Sequence, residues 1–293
     1  FPQSIFTTKI YIYMRYGHAL LTLAFGVILF SCKKDYVPNT TNPPSVPPDV
    51  PVKHVLLKDI IIPHLPSPYY HFEYNTDSLV TKADFASGYT IYDVFYNKNK
   101  ISEMRDNILV NHDTLRYLYD NVGKLAVIKF INDANVVYRH ATFAYNGNLI
   151  KEIEWDRKAG NIDFFIDRTL TFTFYPDGNV KTIIDHRLPF SGSPEQTNIT
   201  MFEQYDEKIN VDDFSLVHDG IHDHLFLLQG FRLQKNNPGK ETFSVNGVSL
   251  YTVDYTYAYN TDNTPSTKTG AFVYTSGPDI GKKFETNSIY TYY

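Results

Sequence analysis

The sequence predicts an all-β, mainly antiparallel fold, and three observations predict it. Apolar and polar residues alternate with a period of two over long stretches, as in strands with one buried and one wet face. Pairs of Tyr with Asn, Asp or Pro recur where turns are expected. Aromatic residues make up 16% of the chain, with 24 Tyr and 21 Phe, and such side chains pack across strands on a pleated surface. The clearest instance is Thr169–Ile184. Leu170, Phe172 and Phe174 alternate with threonines, Pro176-Asp177-Gly178-Asn179 supplies a tight reversal, and Val180 starts the return strand.

Weaker copies of that hairpin align on Tyr74, Tyr96, Tyr119, Tyr145, Tyr175, Tyr205 and Tyr259, at intervals of 22, 23, 26, 30, 30 and 54 residues. Two strands and their turns need roughly 20–24 residues, so one repeat is one hairpin. Apolar returns are expected at Ile101, Leu125, Leu149, Val180 and Ile209. The interval of 54 is expected to hide a degenerate unit turning at Lys235–Lys240. Seven copies and the degenerate one imply about 14–16 strands, and open sheets rarely exceed about 10 without curling or splitting. The expected architecture is therefore a curled up-and-down meander, a barrel or half-barrel, with Phe172, Phe174, Tyr255 and Tyr257 on its concave side. Gly147 and Gly178 are expected at positive φ.

The first domain strand is expected at Val55–Ile62. Leu149, Ile153 and Trp155 should share a buried face, opposite Glu152 and Glu154. Residues 211–230 break the pattern and predict a short helical insertion. Beyond it, Tyr251, Val253, Tyr255, Tyr257 and Tyr259 line one face of a long strand, and Phe284–Tyr293 forms the last.

The N-terminal portion reads differently. Met14-Arg15 fits a translation start, and Ala19–Phe30 is a twelve-residue apolar run. A spanning helix needs about 20 apolar residues, so this run reads as the core of a signal peptide occupying residues 1–31. Residues 33–53, with Pro38, Pro43, Pro44, Pro47, Pro48 and Pro51, form an extended tether. Residues 54–293 then read as a single β domain.

The run ends in Leu29-Phe30-Ser31-Cys32, which resembles a bacterial lipobox. Cys32 would be lipidated and become the first mature residue; it is the sole cysteine of the chain, so no intrachain disulfide can form. The Tyr-Asp/Asn turn with its apolar return is similar to YD-type repeats. Together with Leu233–Lys240, Tyr255–Asn260 and Pro265–Lys268, it resembles a family of Bacteroidetes outer-membrane lipoproteins described as having a porin-like β-sheet. That family has no assigned activity, so the resemblance implies a fold, an outer-membrane location at the cell surface and the lipid on Cys32, with no catalytic or cofactor-binding residue.

Charge narrows the function further. Without Lys9 and Arg15, 27 − 2 = 25 basic groups face 32 acidic ones, a net charge of −7. Nucleic acid, which needs a basic surface, is disfavoured. In the return strands Lys124, Lys129, Lys151, Glu152, Glu154 and Lys181 fall on both phases, against the uniformly apolar outer band of a membrane-spanning barrel. No Gly-x-Ser-x-Gly elbow is present. His218, His222 and His224 form the densest metal-ligating cluster: His218 and His222 could share a helical face, with Asp219 or Asp223 completing a divalent site. A solvated polar turn is the plainer reading, and no cofactor or metal is expected. Exposed Tyr or the lone Trp155 could stack on sugar rings, though such residues more often form core. The expectation is a lipid-anchored envelope protein that binds or scaffolds without catalysis, its partners being the membrane through the anchor and a glycan or another envelope protein. The alternative is a metal-dependent extracellular hydrolase using the histidine cluster.

Overall fold

The structure, a computed structural model, describes residues 55–108, 112–158, 160, 163–217 and 232–293. Cys32, the tether and His218–His224 lie outside the described residues. The strands are β1 (Leu57–Ile61), β2 (Tyr70–Tyr74), β3 (Val80–Phe85), β4 (Thr90–Asn97), β5 (Lys100–Asp106) and β6 (Thr114–Tyr119). Next come β7 (Leu125–Ile131), β8 (Val137–Asn146), β9 (Leu149–Arg157), β10 (Phe165–Phe174) and β11 (Val180–Arg187). The last five are β12 (Gln196–Glu203), β13 (Lys240–Val245), β14 (Val248–Tyr259), β15 (Pro265–Tyr274) and β16 (Lys283–Tyr292). Each pairs antiparallel with its sequence neighbours, and β1 closes on β16, Ile60 opposite Tyr290. The meander is thus a closed barrel rather than a half-barrel.

The alternation decides which face points inward. Ala83, Met104, Ile128 and Ile153 are fully buried and belong to one connected apolar cluster on the lumen face. A sixteen-stranded porin leaves an aqueous channel, whereas here aliphatic and aromatic side chains fill the lumen over β2 to β11. The outer face carries the charges. Lys82 pairs with Glu73 at 3.3 Å, and Glu103 pairs with Arg105 at 2.8 Å and Arg116 at 3.4 Å. Placing those ions in hydrocarbon would cost several kcal/mol, so this stretch of the wall is built for water.

Two details depart from the sequence reading. On β9 the buried residue after the turn is Ile150, not Leu149, because a bulge between Ala144 and Tyr145 shifts the register by one. Lys235–Lys240 is not a hairpin turn, and the return after Tyr205 is not at Ile209. The chain leaves β12, makes an excursion into the lumen and comes back to pair β13 with β12, Glu203 opposite Lys240. Among the described residues of that excursion the helical part is a 3-10 turn, Asp213–Val217. Its Phe214 ring packs edge-on against Tyr70 and Phe72, with centroids 5.2 and 5.5 Å away.

Candidate functional site

One rim of the barrel carries the repeats. Register shifts fall at Tyr74, Tyr96, Tyr119, Tyr145 and Tyr259, so each of these tyrosines sits at a bulge beside its turn. The hydroxyls of Tyr96, Tyr119 and Tyr145 donate to the carbonyls of Val80, Ile101 and Leu125, the first buried residues of the preceding return strands, at 2.8, 2.9 and 3.0 Å. Tyr74 begins the series by donating to the carbonyl of Leu57 on β1 at 2.8 Å, whereas Tyr175 turns the other way, to Phe202. The Asx residue that follows caps the turn. Asp120 Oδ1 accepts from the N–H groups of Val122 and Lys124, and Asn75 Oδ1 from those of Asp77 and Leu79. The Tyr-Asx repeat is therefore a hairpin-to-hairpin fastening.

A second repeat went unread in the sequence. Lys100 Nζ donates to the Gly123 carbonyl in the next turn at 2.7 Å and lies 5.0 Å over the Tyr119 ring. Lys124 repeats this one hairpin on, reaching the Gly147 carbonyl and lying 5.2 Å over Tyr145. Lys235, from the returning excursion, donates to the Asp177 carbonyl at 2.8 Å. For Lys100 and Lys124 the signal available was a Lys directly after the turn residue, Asn99 or Gly123; Lys235, which follows Gln234, carried no such signal.

Between β10 and β15 the lumen turns polar and opens into a cavity of about 370 Å³. Asp185 is clamped by two guanidiniums: Arg168 donates to both oxygens at 2.8 and 3.1 Å, and Arg187 adds bonds of 3.0 and 2.7 Å. Burial works to raise the Asp185 carboxyl, but the hydrogen bonds and charges of the two arginines outweigh it and hold it below the usual range. Opposite, Glu241 accepts from the Tyr255 hydroxyl at 2.7 Å, and burial pushes its carboxyl up. Lys268 sits 4.7 Å over the Tyr255 ring and 3.6 Å from Asp212, which also accepts from Tyr290 at 2.7 Å.

The wall beyond the cavity is an aromatic ladder. Phe243 stacks on Tyr251 at 5.0 Å, Tyr251 meets Phe272 at 5.4 Å, and Phe272 stacks on Phe284 at 4.4 Å. The register places all four on the lumen side. Phe284 is 43% exposed, so the ladder leads from the cavity to solvent at the rim opposite the tyrosines. Trp155, by contrast, is 1% exposed beneath Arg168, with no face for a sugar. Phe172 is buried, and Phe174, Tyr255 and Tyr257 are half-buried. Among the described residues no group of three or more His, Cys, Asp or Glu could hold a metal ion.

The fold has solved counterparts. A porin-like protein from Bacteroides uniformis ATCC 8492 superposes with a TM-score of 0.56 at 13% identity, covering 76% of this chain and 89% of its own. A porin-like protein from Bacteroides vulgatus ATCC 8482 gives a TM-score of 0.54 at 16% identity, covering 82% of this chain and 99% of its own. At such identities the likeness is one of fold. No protein-family model and no curated protein matches the chain.

Proposed function

We propose that this protein is a non-catalytic binding component of the cell envelope, held at the outer membrane by a lipid on Cys32 and taking a glycan-derived ligand into the polar part of its lumen. The observation that carries this reading is the half-exposed ladder Phe243–Tyr251–Phe272–Phe284 leading into a cavity lined by paired charges. Aromatic faces supply flat apolar area for the C–H face of a sugar. Asn198, Thr200, Glu241 and Lys268 supply hydroxyl partners at its end. The cavity volume falls at the lower end of small-ligand pockets, enough for a short saccharide unit.

A lipid anchor suits a barrel whose outer wall is ionic, because such a wall gives no purchase in a bilayer. Screening the purified protein on an array of neutral and acidic glycans, then titrating the best binder, tests the ligand. Phe284→Ala should weaken that binder by about tenfold, as expected for a lost stacking contact, with an almost unchanged melting temperature because the ring is exposed. Absence of any binder, or equal affinity of Phe284→Ala, would remove the reading. Cys32→Ala should abolish fatty-acid labelling and shift the protein to the soluble fraction.

A further inference from the structure

We infer that the tyrosine rim carries a separate binding groove for an extended acidic polysaccharide, independent of the lumen cavity. The groove holds about 460 Å³ over the turns of four consecutive hairpins, β4–β5 to β10–β11. Its charged lining residues are Lys100, Lys124, Arg232 and Lys235, with no carboxylate among the lining. That local charge stands out on a chain whose acidic residues outnumber its basic ones, 32 to 27.

The cations are spaced by the fold. Lys100, Lys124 and Lys235 each dock on the backbone carbonyl of a successive turn, at Gly123, Gly147 and Asp177. Successive hairpins lie two strands apart, so the ammonium groups step round the rim by about 9.5 Å. An ammonium has three donors; the docked carbonyl takes one of each and holds the group in place. The nearest acids are turned away into their own turns. Asp120 accepts from backbone N–H groups at 3.0 and 2.8 Å, and Asp177 accepts from the Asn179 N–H at 2.9 Å. The Tyr119 and Tyr145 rings, each beneath one of the ammonium groups, and the amides of Asn99 and Asn148 line the same groove, where a sugar ring bearing a carboxylate would meet cationic, apolar and hydrogen-bonding surface together. A concave row of evenly spaced charges fits a chain of anionic units better than a flat lipid surface.

The test is titration of the full chain with oligogalacturonate and with neutral oligogalactose of equal length. The triple variant Lys100→Gln, Lys124→Gln, Lys235→Gln is compared with the matching triple Lys→Arg variant. Wild type should bind the acidic oligomer in a salt-sensitive way, the Arg variant should retain binding, and the Gln variant should lose about tenfold or more. Melting curves of the three proteins report whether each is folded. Equal binding by the Gln variant, equal binding of the neutral oligomer, or binding only to anionic phosphatidylglycerol vesicles would each overturn the proposal.

Discussion

At the residue scale, backbone conformation and desolvation make the sharpest demands. Gly178 has φ +87° and Gly147 φ +57°, the left-handed region that penalises a Cβ. Gly147→Val and Gly178→Val should each lower stability by about 1–3 kcal/mol in urea unfolding. Gly178→Val should also displace Lys235, whose Nζ lies 2.7 Å from the position of an added Cβ. Unchanged midpoints for both would mean the turns are assigned to the wrong residues. Asp213 is the second case. Desolvation pushes its carboxyl up to about 6, against the N–H groups of Leu233 and Gln234, which donate to it, and the charge of Arg232; the neighbouring Asp212 charge raises it further. A folded pKa above the unfolded value of 3.8 means that the protonated form favours the fold. That contribution is complete below 3.8 and is lost as pH rises through about 6. Asp213→Asn keeps an acceptor for both N–H groups without the charge. It should raise stability near neutral pH by about 1–2 kcal/mol, and the gain should shrink as pH falls below about 6 and vanish below 3.8. A gain independent of pH would contradict the assignment.

At the scale of the element, the hairpin is fastened to its predecessor by one tyrosine hydroxyl. Tyr119→Phe deletes the bond to the Ile101 carbonyl while keeping the ring under Lys100, so it should cost about 1 kcal/mol in the urea midpoint, as should Tyr145→Phe. No change in either would reduce the repeat to turn chemistry alone. Most hairpins were legible in the sequence because alternation and Asx turn chemistry are local. Leu170 and Phe172 are buried, and β16 falls within one residue of the expected final strand. What the hydroxyls bond to was not legible, since the partner lies 16 to 20 residues away in the preceding repeat. Bulges were equally hidden, which is why Ile150 and not Leu149 is buried. The excursion was misread for a related reason. Asn236, Asn237, Pro238 and Gly239 mark a reversal, but such residues say nothing of which segments the reversal joins. There Asn179 accepts from the N–H groups of both Lys235 and Asn236, contacts 56 and 57 residues apart in sequence.

At the scale of the whole molecule, sixteen strands build a barrel whose lumen is apolar over β2 to β11 except for a polar cavity between β10 and β15, with an ionic outer face. The sequence announced the ionic wall, because Lys129, Lys151, Glu152 and Glu154 interrupt the phase that a bilayer would require to be apolar. It did not announce the polar cavity: Arg168, Asp185 and Glu241 look like surface charges until the closed sheet turns them inward and pairs them. The aromatic ladder was visible as Tyr and Phe rows, but which rings stay exposed depends on how the closed sheet sets the inward face of β13 to β16. The central claim is that the barrel wall faces water, whatever holds the chain at a membrane. Spin-label accessibility of the full chain in native-like membranes tests it most directly, with labels at Lys129→Cys, Glu154→Cys, Thr171→Cys and Thr252→Cys. Each label should collide freely with a water-borne nickel chelate and show no preference for oxygen. A belt of oxygen-accessible, nickel-protected positions about 25 Å tall, as in a spanning barrel, would contradict the account.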